Sequence, residues 1–162
     1  MGGQSVNKEE QFMMSFTDLF NKMIWLNKPM VEDRLKEYKL SEVQCIEYIG
    51  KNGDSNVTKL AESFYMTRGA ISKITKKLIK KGLIKSYRKP DNKKEIYFSL
   101  TPQGKRINKV HDTLHKEFLE RDRSVFEQVT GKQFDIMLSF MEKYNRHLDA
   151  EIRKSGIAVK PI

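Results

Sequence analysis

From Lys8 to about Asn27, apolar side chains return every three or four residues. Phe12, Phe16, Leu19, Phe20, Met23 and Leu26 share one helical face, and Met13, Ile24 and Trp25 widen it beyond a single stripe. Pro29 either opens a second helical piece, MVEDRLKEYK, or kinks one continuous helix. A second helix is expected from Leu40-Ser41, with Ser41 as its N-cap and Val43, Ile46 and Ile49 inward. Gly50 and the KNGDSN run should end it. Val57 to Phe64 reads as a short helix burying Val57, Leu60, Ala61 and Phe64, and Tyr65-Met66 as a turn. Thr67 then caps a helix through Lys81 whose inner face is Ala70, Ile71, Ile74, Leu78 and Ile79, closed by Gly82.

After Leu83 the period changes to two. Ile84 and Ser86, then Ile96, Phe98 and Leu100, predict two strands, with Arg88 to Lys94 as the turn between them. Thr101-Pro102 opens a long helix with Ile107, Val110, Leu114 and Phe118 as its stripe. Thr130-x-x-Gln133 has the form of a capping box and starts a last helix through about Lys154. Phe134, Met137, Leu138, Met141, Tyr144, Leu148 and Ile152 repeat along it at threes and fours. The fold expected is mainly α (α+β), a winged helix-turn-helix over residues 40–101. Residues 1–39 and 102–155 supply long N- and C-terminal dimerisation helices, and 156–162 form a loosely held tail.

Charge sharpens the picture. Between Thr58 and Lys94 stand twelve Lys and Arg against Glu62 and Asp91, a net of +10, which equals the net charge of the whole chain; the remaining 19 bases are balanced by 19 acids. A helix-helix-hairpin unit carrying the entire excess suits a polyanion. The helix-turn-helix geometry places Thr67, Arg68, Gly69, Ser72 and Lys73 at the leading end of the recognition helix. Arg68 can take guanine bidentately, Thr67 and Ser72 can reach bases or phosphates, and Lys76 and Lys77 suit phosphates. Arg88, Lys93 and Lys94 on the hairpin reach the flanking backbone or minor groove. The partner expected is double-stranded DNA, because the deep major groove of A-form RNA excludes a helix. An RNA- or protein-binding winged helix is the rival of the same fold.

One small central module cannot cover apolar faces at both ends of the chain, so a twofold homodimer is expected. Phe12, Phe16, Leu19, Phe20, Met137, Met141 and Leu148 would line its interface. The Met- and aromatic-rich first helix could also line a pocket for a small apolar or aromatic effector. No Gly-rich phosphate loop, nucleophile constellation or carboxylate pair marks an enzyme, and no cofactor is implied. His111 and His115, spaced i and i+4, are the weak candidates for a metal. Cys45 reads as a small buried hydrophobe rather than a redox switch. No apolar run is long enough to span a bilayer, and the start lacks a basic-then-apolar export pattern, so a cytoplasmic protein is expected. Met1-Gly2 with Ser5 only approaches the myristoylation pattern.

The residues of this region resemble the MarR-type winged-helix transcriptional regulators. The matching pieces are Leu40-Ser41-x-x-Gln44, Leu60-Ala61-Glu62, Gly69-Ala70-Ile71-Ser72-Lys73 and Leu78-x-x-x-Gly82-Leu83-Ile84. They continue with Arg88-x-Pro90-Asp91 and Ser99-Leu100-Thr101-x-x-Gly104, in order over about 65 residues. The resemblance implies a homodimer on a pseudo-palindromic operator, usually a repressor released by a small ligand or another signal. Histidines like His111 and His115 occur in zinc-sensing members. The family's wing commonly reads Asp-Asp-Arg-Arg, whereas this chain has Asp91-Asn92-Lys93-Lys94. Lysine is a poorer narrow-groove reader than arginine, so the wing is expected to add affinity more than sequence choice. Loss of the second aspartate is expected to remove a brace for the wing.

Overall fold

Ile71 and Leu78, both fully buried, lie at the centre of a core that also takes in Cys45, Ile46, Ile49, Leu60, Leu83, Ile84 and Phe98. The computed structural model describes residues 7–156. The elements are α1 (Lys8–Leu35), α2 (Leu40–Lys51), α3 (Val57–Phe64), α4 (Arg68–Lys80), β1 (Ile84–Lys89), β2 (Asn92–Leu100), α5 (Pro102–Arg121), α6 (Arg123–Phe126) and α7 (Gly131–Ser155). The mainly helical winged-helix fold is the one expected. The myristoylation-like start and the tail beyond Gly156 lie outside the described residues. Among those described, no helix is long and apolar enough to cross a membrane.

The chain divides into two units, one ending at Glu37 and one beginning at Tyr38. In the first, α1 is a single helix that runs through Pro29 rather than a pair of pieces. Asn7 caps it, its side chain accepting from the Glu10 N–H at 2.7 Å.

In the second unit, α2 differs from the reading at both ends. Its N-cap is Lys39, whose N–H donates to the Glu42 carboxylate at 3.0 Å, and Ser41 is buried inside the first turn. Gly50 does not stop the helix, which continues to Lys51, and the left-handed residue of the following turn is Asp54 (φ 54°). Gly50 serves instead as a close approach, for a β-carbon there would stand 2.7 Å from Asn108 Nδ2 on α5. α3 is capped by Asn56 and ends on Tyr65 in the left-handed region. In α4 the buried face is Ile71, Ile74, Thr75 and Leu78, while Ile79 is 42% exposed. Ile79 falls at the flank of the buried stripe, and Thr75 takes the inward place, its hydroxyl satisfied by the Ser72 carbonyl at 3.1 Å.

β1 and β2 pair antiparallel, Ile84 opposite Leu100 and Tyr87 opposite Tyr97. The turn is only Pro90-Asp91, shorter than the Arg88–Lys94 span expected. Beyond Tyr87/Tyr97 the register shifts, since Lys89 faces Asn92. The expected alternation does not hold: Tyr97 and Phe98 are buried, Leu100 half-buried and Ile96 exposed.

Two clasps fix the wing. At its base, Thr101 N–H donates to the Leu83 carbonyl at 3.0 Å and its hydroxyl to the Gly82 carbonyl at 2.6 Å. The same hydroxyl accepts from Gly104 N–H, capping α5. The second clasp is Asp54. Tyr87 Oη donates to its Oδ1 at 2.9 Å, Lys89 Nζ donates to its Oδ2, and Lys59 Nζ donates to its carbonyl at 3.0 Å. The bonds from Lys89 and Tyr87 hold the Asp54 carboxyl below its ordinary range. Phe98 N–H donates to the Ser55 carbonyl at 2.8 Å, so the α2–α3 turn adds a bridge to the hairpin edge. The wing therefore keeps a carboxylate brace, contrary to the expectation from its tip, because an aspartate distant in sequence supplies it.

Two outcomes are expected. A β-carbon at Gly104 would stand 2.0 Å from the Leu83 carbonyl oxygen. Gly104→Ala should therefore cost about 1–3 kcal/mol in chemical denaturation, whereas Gly131→Ala, in open space, should not destabilise. Asp54→Asn keeps a residue tolerant of the left-handed turn but removes the charge. It should speed hydrogen exchange of the Tyr87 and Tyr97 amides several-fold and leave the Leu78 amide unchanged; equal wing exchange in the two proteins would contradict the brace.

Candidate nucleic-acid interface

The recognition face is built by helical periodicity. With Ile71, Thr75 and Leu78 turned inward, the 3.6-residue turn carries Gly69, Lys73, Lys76 and Lys80 along the opposite line. Thr67, Arg68, Gly69, Lys73, Lys76 and Lys77 are all exposed, and Ser72 is half-buried at the flank. Thr67 is the N-cap, its Oγ1 accepting from Ala70 N–H at 3.1 Å. That oxygen is thus partly committed to holding the helix start. Gly69 and Ala70 keep the leading end slim.

Arg88, Lys93 and Lys94 are exposed on the wing, apart from the α4 line. Arg88 is folded back, its guanidinium donating to the Lys93 carbonyl. Lys93 and Lys94 stand out from the hairpin. Among the described residues, no carboxylate holds Arg68, Lys73, Lys76, Lys77, Lys80, Lys93 or Lys94.

The twelve basic residues are not equivalent. Lys89 is spent on Asp54 and lies over the Tyr97 ring at 5.0 Å. Lys81 reaches Glu42 at 2.9 Å and lies over the Tyr38 ring at 5.3 Å, with the Glu42 side chain only 4% exposed. These two cations hold the scaffold. Both fall within the +10 count over Thr58–Lys94, because nothing local marks their distant partners.

Nothing local marks the start of α2 either. A groove of about 950 Å³ runs between the first turns of α2 and α4, with Lys39, Ser41, Glu42, Thr67, Lys73 and Lys77 on its polar walls and Leu40, Ala70 and Ile74 as its apolar part. The Glu42 carboxylate already accepts from Lys39 N–H at the start of α2 and pairs with Lys81, so Lys73 and Lys77 carry the positive charge that this groove offers.

Elsewhere, His111 and His115 come together on α5, Nε2 to Nε2 at 3.1 Å, and Glu47 Oε2 is 3.8 Å from His111 Nε2. Burial holds the His111 imidazole below its ordinary range, and its Nδ1 is buried without a hydrogen-bond partner. A ligating histidine ordinarily donates that second nitrogen to an acceptor. Lys51 engages the Glu47 carboxylate, and no group of three His, Cys, Asp or Glu among the described residues is arranged to hold a metal. Cys45 is 1% exposed, and burial, with Glu42 beside it, pushes its thiol up to about 12. It lies in the core and is closed to both ligation and thiolate chemistry.

Within its own unit, α1 exposes Phe12, Phe16, Leu19 and Phe20 by 42–57%. On α7, Met137, Met141 and Leu148 are exposed by 41–48%.

The model of the MarR family matches residues 39–96, the helix-turn-helix and most of the wing. The chain is 27% identical over 159 residues to the HTH-type transcriptional regulator PchR of Bacillus subtilis (strain 168), covering 90% of this chain and 94% of that one. Its fold is similar to that of Streptococcus pneumoniae FabT, solved in complex with DNA, with a TM-score of 0.73, 19% identity and coverage of 88% and 99% of the two chains. It is also similar to Staphylococcus aureus MarR in complex with salicylate and kanamycin, with a TM-score of 0.67, 16% identity and coverage of 86% and 91%. With a helix-turn-helix that fits the family model over residues 39–96, a relative alike along nearly its whole length and a shared fold, the chain is similar to the DNA-binding transcription regulators of the MarR family.

Proposed function

We propose that two copies of this chain grip one pseudo-palindromic duplex and repress transcription from it, and that a small apolar or aromatic effector releases them. One observation carries the reading. The outward line of α4 presents lysines held by no carboxylate, while α1 and α7 leave large apolar side chains exposed. Exposed apolar faces of that extent mark an interaction surface, and a second copy of the same chain offers the same faces in return. Paired recognition helices then enter successive major grooves, about 34–36 Å apart.

In this reading Thr67, Arg68 and Gly69 meet base edges, and Ser72 and Lys73 flank them. Lys76 and Lys77 lie on phosphates, and Lys93 and Lys94 reach the neighbouring backbone. Arg88 holds the wing tip in shape, its guanidinium turned to the Lys93 carbonyl. Phe12, Phe16, Leu19, Phe20, Met137, Met141 and Leu148 form the interface between copies. The salicylate held by the S. aureus protein supports a small aromatic acid as the effector class.

A second reading, a metal-responsive regulator of the same fold, rests on the facing His111 and His115 nitrogens alone.

Binding measurements separate the roles. Arg68→Ala should cost about 1–3 kcal/mol at a single operator position and relax preference there. Lys94→Ala should weaken all sequences alike and lower the slope of log affinity against log salt by about 1. An unchanged ratio of specific to non-specific binding in Arg68→Ala would remove the recognition assignment. For the metal reading, stoichiometric zinc should raise the melting temperature of the parent protein and leave His115→Ala unmoved. No shift in the parent ends that reading.

A further inference from the structure

Tyr65 ends α3 at φ 52° and ψ 36°, in the left-handed region. Glycine or asparagine is the ordinary occupant of such a helix end, and a bulky side chain there is an outlier. A non-glycine residue held in this region points to a local constraint worth a functional explanation. Glycine would serve the turn as well, but it could not reach α7. Tyr65 does: its hydroxyl donates to Asp149 Oδ1, across 84 positions of sequence. The bond keeps the phenol above its ordinary range.

Position makes this contact more than a surface pair. Tyr65 lies two residues before Thr67, whose side chain caps the recognition helix. Asp149 follows Leu148, a residue of the α7 face proposed to meet a second copy. Between the end of α3 and the last turns of α7 lies a cleft of about 460 Å³, whose lining also includes Lys59, Glu62 and Arg153. The Tyr65–Asp149 bond spans that cleft. That bond ties α7 to the residue that stands two positions before the cap of α4.

We infer that Tyr65 and Asp149 are positioning residues, a strut through which α7 sets where the recognition helix begins and hence the separation of the half-sites that the paired protein accepts. The inference rests on the dimeric operator reading given above. Bound separation, rather than affinity for a single half-site, is what the strut controls.

The test uses the full chain and duplexes carrying two inverted half-sites at the preferred separation, and at one base pair more or less. The parent should favour one separation. Tyr65→Phe, which removes only the hydroxyl, and Asp149→Ala should each flatten that preference by about tenfold, the scale of one charge-assisted hydrogen bond. Affinity for a lone half-site should stay within about twofold. The double variant should be no flatter than either single one, since both remove the same bond. If Tyr65→Phe does not fold, Asp149→Ala on the helix surface gives the same readout. A parent preference that the variants retain in full, or additive losses in the double variant, overturns the strut alone. A parent without any preferred separation overturns the paired reading and the strut with it.

Discussion

Burial of one face of α4 is the constraint on which the rest depends. Ile71, Ile74 and Leu78 are held against α2, α3 and the base of the hairpin, each at about 1.5–3 kcal/mol of transfer free energy. A helix with one face pinned has no freedom to rotate, so the line through Gly69, Lys73, Lys76 and Lys80 must face outward. That line is unfavourable in isolation. Lysines three and four positions apart repel one another by about 0.2–0.5 kcal/mol per pair. The core outweighs the repulsion, and the free protein carries a concentrated positive face that a phosphate backbone relieves.

The same economy of partners divides the cations into two sets. Glu42 and Asp54 neutralise Lys81 and Lys89 and turn them into ties, one at the end of α4 and one at the wing. The remaining lysines of α4 and the wing tip are left for a ligand. Uniform pairing would have made a stable but inert surface, and no pairing would have removed one of the wing's ties. Asp54, Thr101 and the Phe98–Ser55 bridge hold the hairpin from three directions. Lys93 and Lys94 therefore project from a fixed base.

What could be read in advance was whatever is encoded within a few residues. Ile71, Ile74 and Leu78 on the inner face of α4, the caps at Thr67 and Thr101 and the capping box at Thr130 all follow from local spacing, and the structure keeps them. The errors fall where a distant neighbour decides. Ile79 had the right spacing for the core, yet Thr75 fits the wall it meets. Ile96 had the right period, yet it stands where the register shifts and is exposed. Ser41 looked like a cap because serine usually is one; Glu42 reaching back to Lys39 N–H moved the helix start by a turn's fraction. Asp54, Glu42 and the Tyr65–Asp149 bond carry no local signature at all, because their meaning lies in contacts with residues 35, 39 and 84 positions away. The groove at the start of α2 was invisible for the same reason, being formed by two elements that meet only in the fold.

What two copies of the positive face select decides between paired and single binding. Sequencing the duplexes that the full chain retains from a random pool measures this directly. The expected result is an inverted repeat whose half-sites lie one helical turn apart, centre to centre. Retention of duplexes with a single half-site, or with no enriched sequence, would contradict it.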